Sequence, residues 1–141
     1  MNQKATALPA QPKAADSEKI TINLGFVDLG QIDLLVAEGF YGNRTDFIRT
    51  AIRNHLGTHA EAVKQVAARK MLVLGLQHFS ADELRAVKAA RQTLQIRVLG
   101  LATIAHDVSP ELARATIDSL DVLGALHASP AVKAALADRH R

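Results

Sequence analysis

Cysteine is absent from the 141 residues, so a disulfide framework and every thiolate metal site are excluded. No apolar run approaches the ~18 residues that a bilayer crossing needs, and the N-terminus lacks the apolar core of a signal peptide. The expected compartment is therefore the cytoplasm, with no membrane partner. No phosphate-binding loop and no dinucleotide fingerprint occur, which leaves nucleotide hydrolysis without support. Asp107 follows His106 and Ser109 lies nearby, but no nucleophile elbow surrounds them, so the expectation is a protein that is not an enzyme. Charge of either sign is modest: 17 Lys and Arg against 14 Asp and Glu give a formal +3. That balance permits a nucleic-acid partner without requiring one. Apolar content of 48% with 22% charge is that of a folded protein.

What is present falls into three parts. Residues 1–17, with Lys4 and Lys13 among Ala, Pro and Gln, have no periodic apolar face and predict a disordered arm. From Glu18 the pattern becomes strict alternation, with Lys19, Thr21 and Asn23 on one face and Ile20, Ile22 and Leu24 on the other. Period two with β-branched residues predicts a strand with one buried side. Gly25 ends it, and Val27 through Phe40 follow helical spacing, with Leu29, Ile32, Leu35 and Val36 on one stripe. Gly39 and Gly42 bracket the exit. Thr45 is the expected N-cap of a second helix carrying Phe47, Ile48, Ala51, Ile52 and Leu56 on its apolar side and Arg49 and Arg53 on its polar side.

Strand, helix, G-N-R-T turn and capped helix, with I-x-I-x-L alternation and the run F-I-R-x-A-I-R, resemble the ribbon-helix-helix family of bacterial DNA-binding proteins over residues 18–57. The resemblance implies a homodimer whose two strands pair into an antiparallel ribbon over a shared four-helix core. Elementary physics points the same way, because a unit of about forty residues is too small to bury a core alone. Two copies of Ile20, Ile22 and Leu24, with Ile32, Leu35, Ile48 and Ile52, form the expected dimer core. Lys19, Thr21 and Asn23 then project together as candidates for contact with base edges in the major groove of double-stranded DNA. Free backbone N–H groups beside Thr45 offer an anion site, and Arg44 and Thr45 are the candidate phosphate contacts. Arg49 and Arg53 read equally well as solvated surface.

Past Leu56, Gly57 and Thr58 either stop the helix or cap a new one, THAEAVKQVAARK, and residues 58–70 are expected as a linker helix. His55 and His59 have the spacing of a metal pair, but no third ligand is evident nearby. The remaining residues, 71–141, contain an internal repeat. MLVLGL from Met71, IRVLGL from Ile96 and LDVLGA from Leu120 place Gly75, Gly100 and Gly124 at steps of 25 and 24. Each is followed by an Ala-rich piece starting at Ser80, Ser109 or Ser129. Ser80 with Glu83 matches a capping box, and Ser-Pro at the other two matches an N-cap followed by proline. Strand and helix are thus expected to alternate three times, in units that stack on one another. Nothing obvious caps the array, so its edge is a candidate for burial against another chain. His78, His106 and His127 occur once per repeat. Nickel-responsive relatives of the ribbon-helix-helix type use a cysteine ligand, which this chain lacks, so neither metal nor cofactor is expected.

The expected fold is α+β, with an N-terminal ribbon-helix-helix forming an intertwined dimer followed by a small C-terminal α/β repeat-like domain for oligomerisation or partner binding. The expected function is sequence-specific DNA binding by a transcriptional repressor located with the nucleoid. Two alternatives stay open: an antitoxin that represses its own operon and holds a toxin through its C-terminal part, and a self-assembling structural protein that uses the ribbon as a dimer clamp.

Overall fold

The computed structural model describes residues 17–141, so the arm expected over residues 1–17 lies outside the described residues except for Ser17. The described residues divide into two compact units, Ser17–Val66 and Ala67–Arg141.

In the first unit, residues 17–25 form no regular structure, and the strand expected over residues 18–24 is not made in the single chain. Ile20 is 71% exposed and Ile22 58%. Alternation alone cannot create a strand: the ladder hydrogen bonds must come from a neighbour. Helix α1 (Phe26–Ala37) stops three residues short of the expected Phe40. Gly39 takes φ +88°, its N–H donates to Val36 O at 3.0 Å, and the Phe40 N–H donates to Leu35 O at 2.9 Å. These paired bonds close the helix end through a left-handed residue. Helix α2 (Arg44–Thr58) is capped by Asn43 rather than by the expected Thr45. The Asn43 side chain accepts the Asp46 N–H at 2.8 Å, and the Asp46 carboxylate accepts the Gly42 N–H at 2.9 Å. Starting at Asn43 satisfies a donor on each side of the turn, which a Thr45 cap would leave open. Helix α3 (Ala60–Arg69) follows after His59 alone, so Gly57 and Thr58 neither break the path for long nor cap a helix. Ile32 is the one buried hydrophobic residue in this unit.

The second unit alternates β1 (Val73–Phe79), α4 (Ala81–Ala89), β2 (Leu94–Ile104), α5 (Pro110–Thr116), β3 (Ile117–His127) and α6 (Pro130–Ala135). The strands form a parallel sheet in the order β1-β2-β3. Each helix starts at a serine whose side chain accepts the N–H three residues on: Ser80 from Glu83 and Ser109 from Leu112, both at 3.1 Å, and Ser129 from Val132 at 3.2 Å. The core lies between one sheet face and the helices, and includes Leu84, Ile96, Val98, Ile117, Leu120, Val132 and Leu136. Buried Thr116 donates to Leu112 O at 2.7 Å, which satisfies its hydroxyl within its own helix. The outer edge of β3 is partly covered by the chain's own end: His140 bridges Leu120, and the Arg141 N–H donates to Leu120 O at 2.7 Å. Arg114 fastens that end through Ala135 O at 2.6 Å and Asp138 at 2.8 Å.

Gly75, Gly100 and Gly124 stand side by side across the sheet, each with positive φ between 122° and 145°. A Cβ on Gly100 would lie 2.2 Å from Gly75 O, and one on Gly124 would lie 2.0 Å from Gly100 O, whereas nothing stands within 4 Å at Gly75. The row therefore admits no side chain at Gly100 or Gly124. Gly100→Ala and Gly124→Ala are expected to cost roughly 3 to 5 kcal/mol each, from overlap added to backbone strain, and Gly75→Ala about 1 to 2, from strain alone. Urea unfolding of the three variants checks the order. Equal losses at all three positions would contradict it.

Candidate functional site

The first unit carries an open groove of about 410 Å³. Its walls include Ile22 and Leu24 from the extended segment, Ile32 and Leu35 from α1, and Phe47, Ile48 and Ile52 from α2. Of the seven residues expected to form a dimer core, six meet in this groove; the exception, Ile20, stands free of it. The reason is local. The α1 stripe and the α2 stripe face each other across the Gly39–Asn43 turn, where Tyr41 and Phe47 pack edge to face at 5.0 Å. Lys19, Thr21 and Asn23 alternate with the groove-lining residues and are exposed. Arg49 and Arg53 are exposed on α2.

Arg44 sits at the first turn of α2 and forms a two-pronged ion pair with Asp33 of α1, Nε to Oδ1 and Nη2 to Oδ2, both at 2.8 Å. Both side chains are about half exposed, at 54% and 52%. This fork clamps the two helices and also engages the guanidinium expected to meet phosphate. Asp33 was not apparent as a site residue in the sequence. Its partner is eleven positions away on another helix, and no single-helix spacing pairs them. Thr45 lies at the second position of α2, exposed, where the early N–H groups have no intrahelical acceptor.

Hydrogen bonding from Arg44 holds the Asp33 carboxyl below the usual carboxylate range, and Asp33 raises Arg44 in turn. A depressed folded pKa stabilises the clamp above the ordinary carboxylate value near 4, and the contribution is lost as pH falls through the depressed value. Asp138 is lowered likewise, first by its hydrogen bond to Arg114, so the C-terminal fastening is lost as pH falls through its own depressed value.

The His55 and His59 rings stand edge to face at 5.0 Å, and His78 Nδ1 lies 2.6 Å from Thr103 Oγ1. Among the described residues no group of three or more His, Cys, Asp or Glu is placed to hold a metal, and no helix is long and apolar enough to cross a membrane.

If Arg44 contacts phosphate, Asp33→Asn should release it and tighten binding to duplex DNA several-fold at low salt, while Arg44→Ala should lower the slope of log K against log salt by about 1. Fluorescence anisotropy across a salt series checks both. An Arg44→Ala slope identical to wild type would remove Arg44 from the contact.

A family model described as the Ribbon-Helix-Helix transcriptional regulator family matches residues 15–133. The match reaches well beyond residues 18–57 and takes in the glycine-bearing strands. No curated protein and no solved structure matches the chain.

Proposed function

The chain belongs to the ribbon-helix-helix transcriptional regulator family, and from this we propose that it is a repressor whose dimer reads the major groove through a two-stranded antiparallel ribbon. A DNA-binding role in transcription follows from the family itself. The observation that carries the finer reading is the groove: Ile22 and Leu24 line it beside α1 and α2, and among the described residues of this unit it stands open. A second chain's equivalent residues supply the missing cover. Strand pairing between residues 18–24 of two chains then satisfies the backbone groups that the single segment leaves without a ladder.

In that dimer Lys19, Thr21 and Asn23 of both chains project together on the polar face. Lysine suits guanine acceptors and asparagine suits adenine, so these residues select sequence. The start of α2 provides positioning: the free N–H groups near Thr45 donate to a phosphate, and Arg44 reaches it through the nitrogen not engaged by Asp33. The carboxylates of Asp33 and Asp46 at the same turn restrain this attraction. Residues 18–57 thus form the DNA-binding and dimerisation part, 58–70 the connecting helix, and 71–141 a domain for oligomerisation or for a protein partner. Capped helices and a buried core in the last part favour this role over an antitoxin tail that folds only around a toxin.

Selection of bound sites from random duplex DNA at about physiological salt should recover a palindrome or tandem repeat. Lys19→Ala and Asn23→Ala should each weaken binding to the recovered site by roughly 1 to 3 kcal/mol and relax its sequence preference. Unchanged cognate binding in both variants would refute ribbon readout.

A further inference from the structure

The sheet of the second unit has two faces, and the helices cover only one. Ile96, Val98, Ala102 and Ile104 of β2 point into the core, so the alternate residues Arg97, Leu99, Leu101 and Thr103 lie on the open face. Strand pairing extends this face sideways. Leu74, Leu99 and Leu123 form one row, and Leu76, Leu101 and Ala125 the next. Leu74 and Leu76 are each 75% exposed and Leu123 50%. A contiguous apolar plate rimmed by polar groups is the usual anatomy of an interface.

The pattern on this plate is symmetric about the glycine row. One residue to either side of Gly75, Gly100 and Gly124 the side chains are apolar; three residues to either side they are mainly polar, Arg97 and Asp121 at one end and His78, Thr103 and His127 at the other. A two-fold axis laid along the glycine row maps each apolar row onto the other. It also sets Asp121 opposite His127 of the second copy, and Arg97 opposite Thr103. An isologous contact needs this kind of self-complementary surface.

We propose that the open sheet face is a contact between two copies of this chain, stacked face to face about an axis along the Gly75–Gly100–Gly124 row. Size commits the occupant. Three strands about 4.8 Å apart and seven residues at about 3.3 Å each make a plate of roughly 14 by 23 Å, smaller than the ~800 Å² per partner of an independent stable interface. A copy already tethered through the N-terminal ribbon needs far less area, because its effective concentration is high. The inference rests on the dimer of the proposed function in that respect.

The chain has no cysteine, so single cysteines report directly. Full-length Leu101→Cys, and Leu76→Cys as a second probe, should form covalent dimers with a short bismaleimide at least ten times faster than Lys88→Cys on exposed α4. Asp121→Lys should slow cross-linking several-fold, and adding His127→Glu should restore it. Cross-linking at residues 101 and 76 no faster than at residue 88 would overturn the proposal, as would indifference to Asp121→Lys with circular dichroism unchanged. Site selection on the same samples separates the two ideas. Preferential cross-linking absent from the Leu101→Cys and Leu76→Cys proteins while they still recognise DNA refutes the sheet contact alone, and recognition absent while they cross-link preferentially counts against ribbon readout alone.

Discussion

The constraint on which the N-terminal unit depends is that it cannot bury its own apolar residues. Between Ser17 and Val66 the chain presents Ile22, Leu24, Leu35, Phe47, Ile48 and Ile52 to one groove, yet Ile32 is its only buried hydrophobic residue. Among the described residues of this unit, two helices joined by a tight turn have one inner surface and nothing laid over it. In the proposed dimer a symmetric second copy supplies the cover, because each chain carries both the groove and the segment that can close it. On that proposal, folding, dimerisation and the display of Lys19, Thr21 and Asn23 are consequences of one burial event. The polar residues gain their arrangement from the apolar residues between them.

The C-terminal unit answers the burial problem differently. Its core is closed by its own helices, each begun by a serine cap, and its last strand is partly shielded by residues 137–141. Among the described residues it leaves open a sheet face and the outer edge of β1. The glycine row explains the geometry there. At positive φ a Cβ on Gly100 or Gly124 would strike the carbonyl of the adjacent strand, so close strand pairing and the absence of side chains are the same requirement there. The family match runs through these strands as well as through residues 18–57.

In the proposed DNA complex, electrostatics at the start of α2 moderates rather than drives binding. The Arg44–Asp33 fork joins two helices and at the same time holds back a cation from the position where phosphate is proposed to dock. With a formal charge of only +3, such restraint favours discrimination between sites over general attraction to nucleic acid.

Much of this was legible from residue order. Helical spacing before and after the Gly39–Asn43 turn, the three serine starts and the glycine steps of 25 and 24 are all local patterns, and local backbone preferences generate the elements beneath them, whereas the alternation in Lys19–Leu24 makes no strand in the single chain because a ladder needs a neighbour. The cap of α2 was misread because Asn43 and Thr45 both suit the role, and the choice turned on Asp46 reaching back to Gly42. The Asp33–Arg44 clamp, the register that aligns three glycines, the covering of β3 by His140 and Arg141, and the apolar plate on the open sheet face were invisible in the chain. Each depends on which distant residues become neighbours, and sequence spacing records neighbours only along one element. Residue order therefore specified the pieces and their polarity, while packing between pieces decided which surfaces remain to be covered.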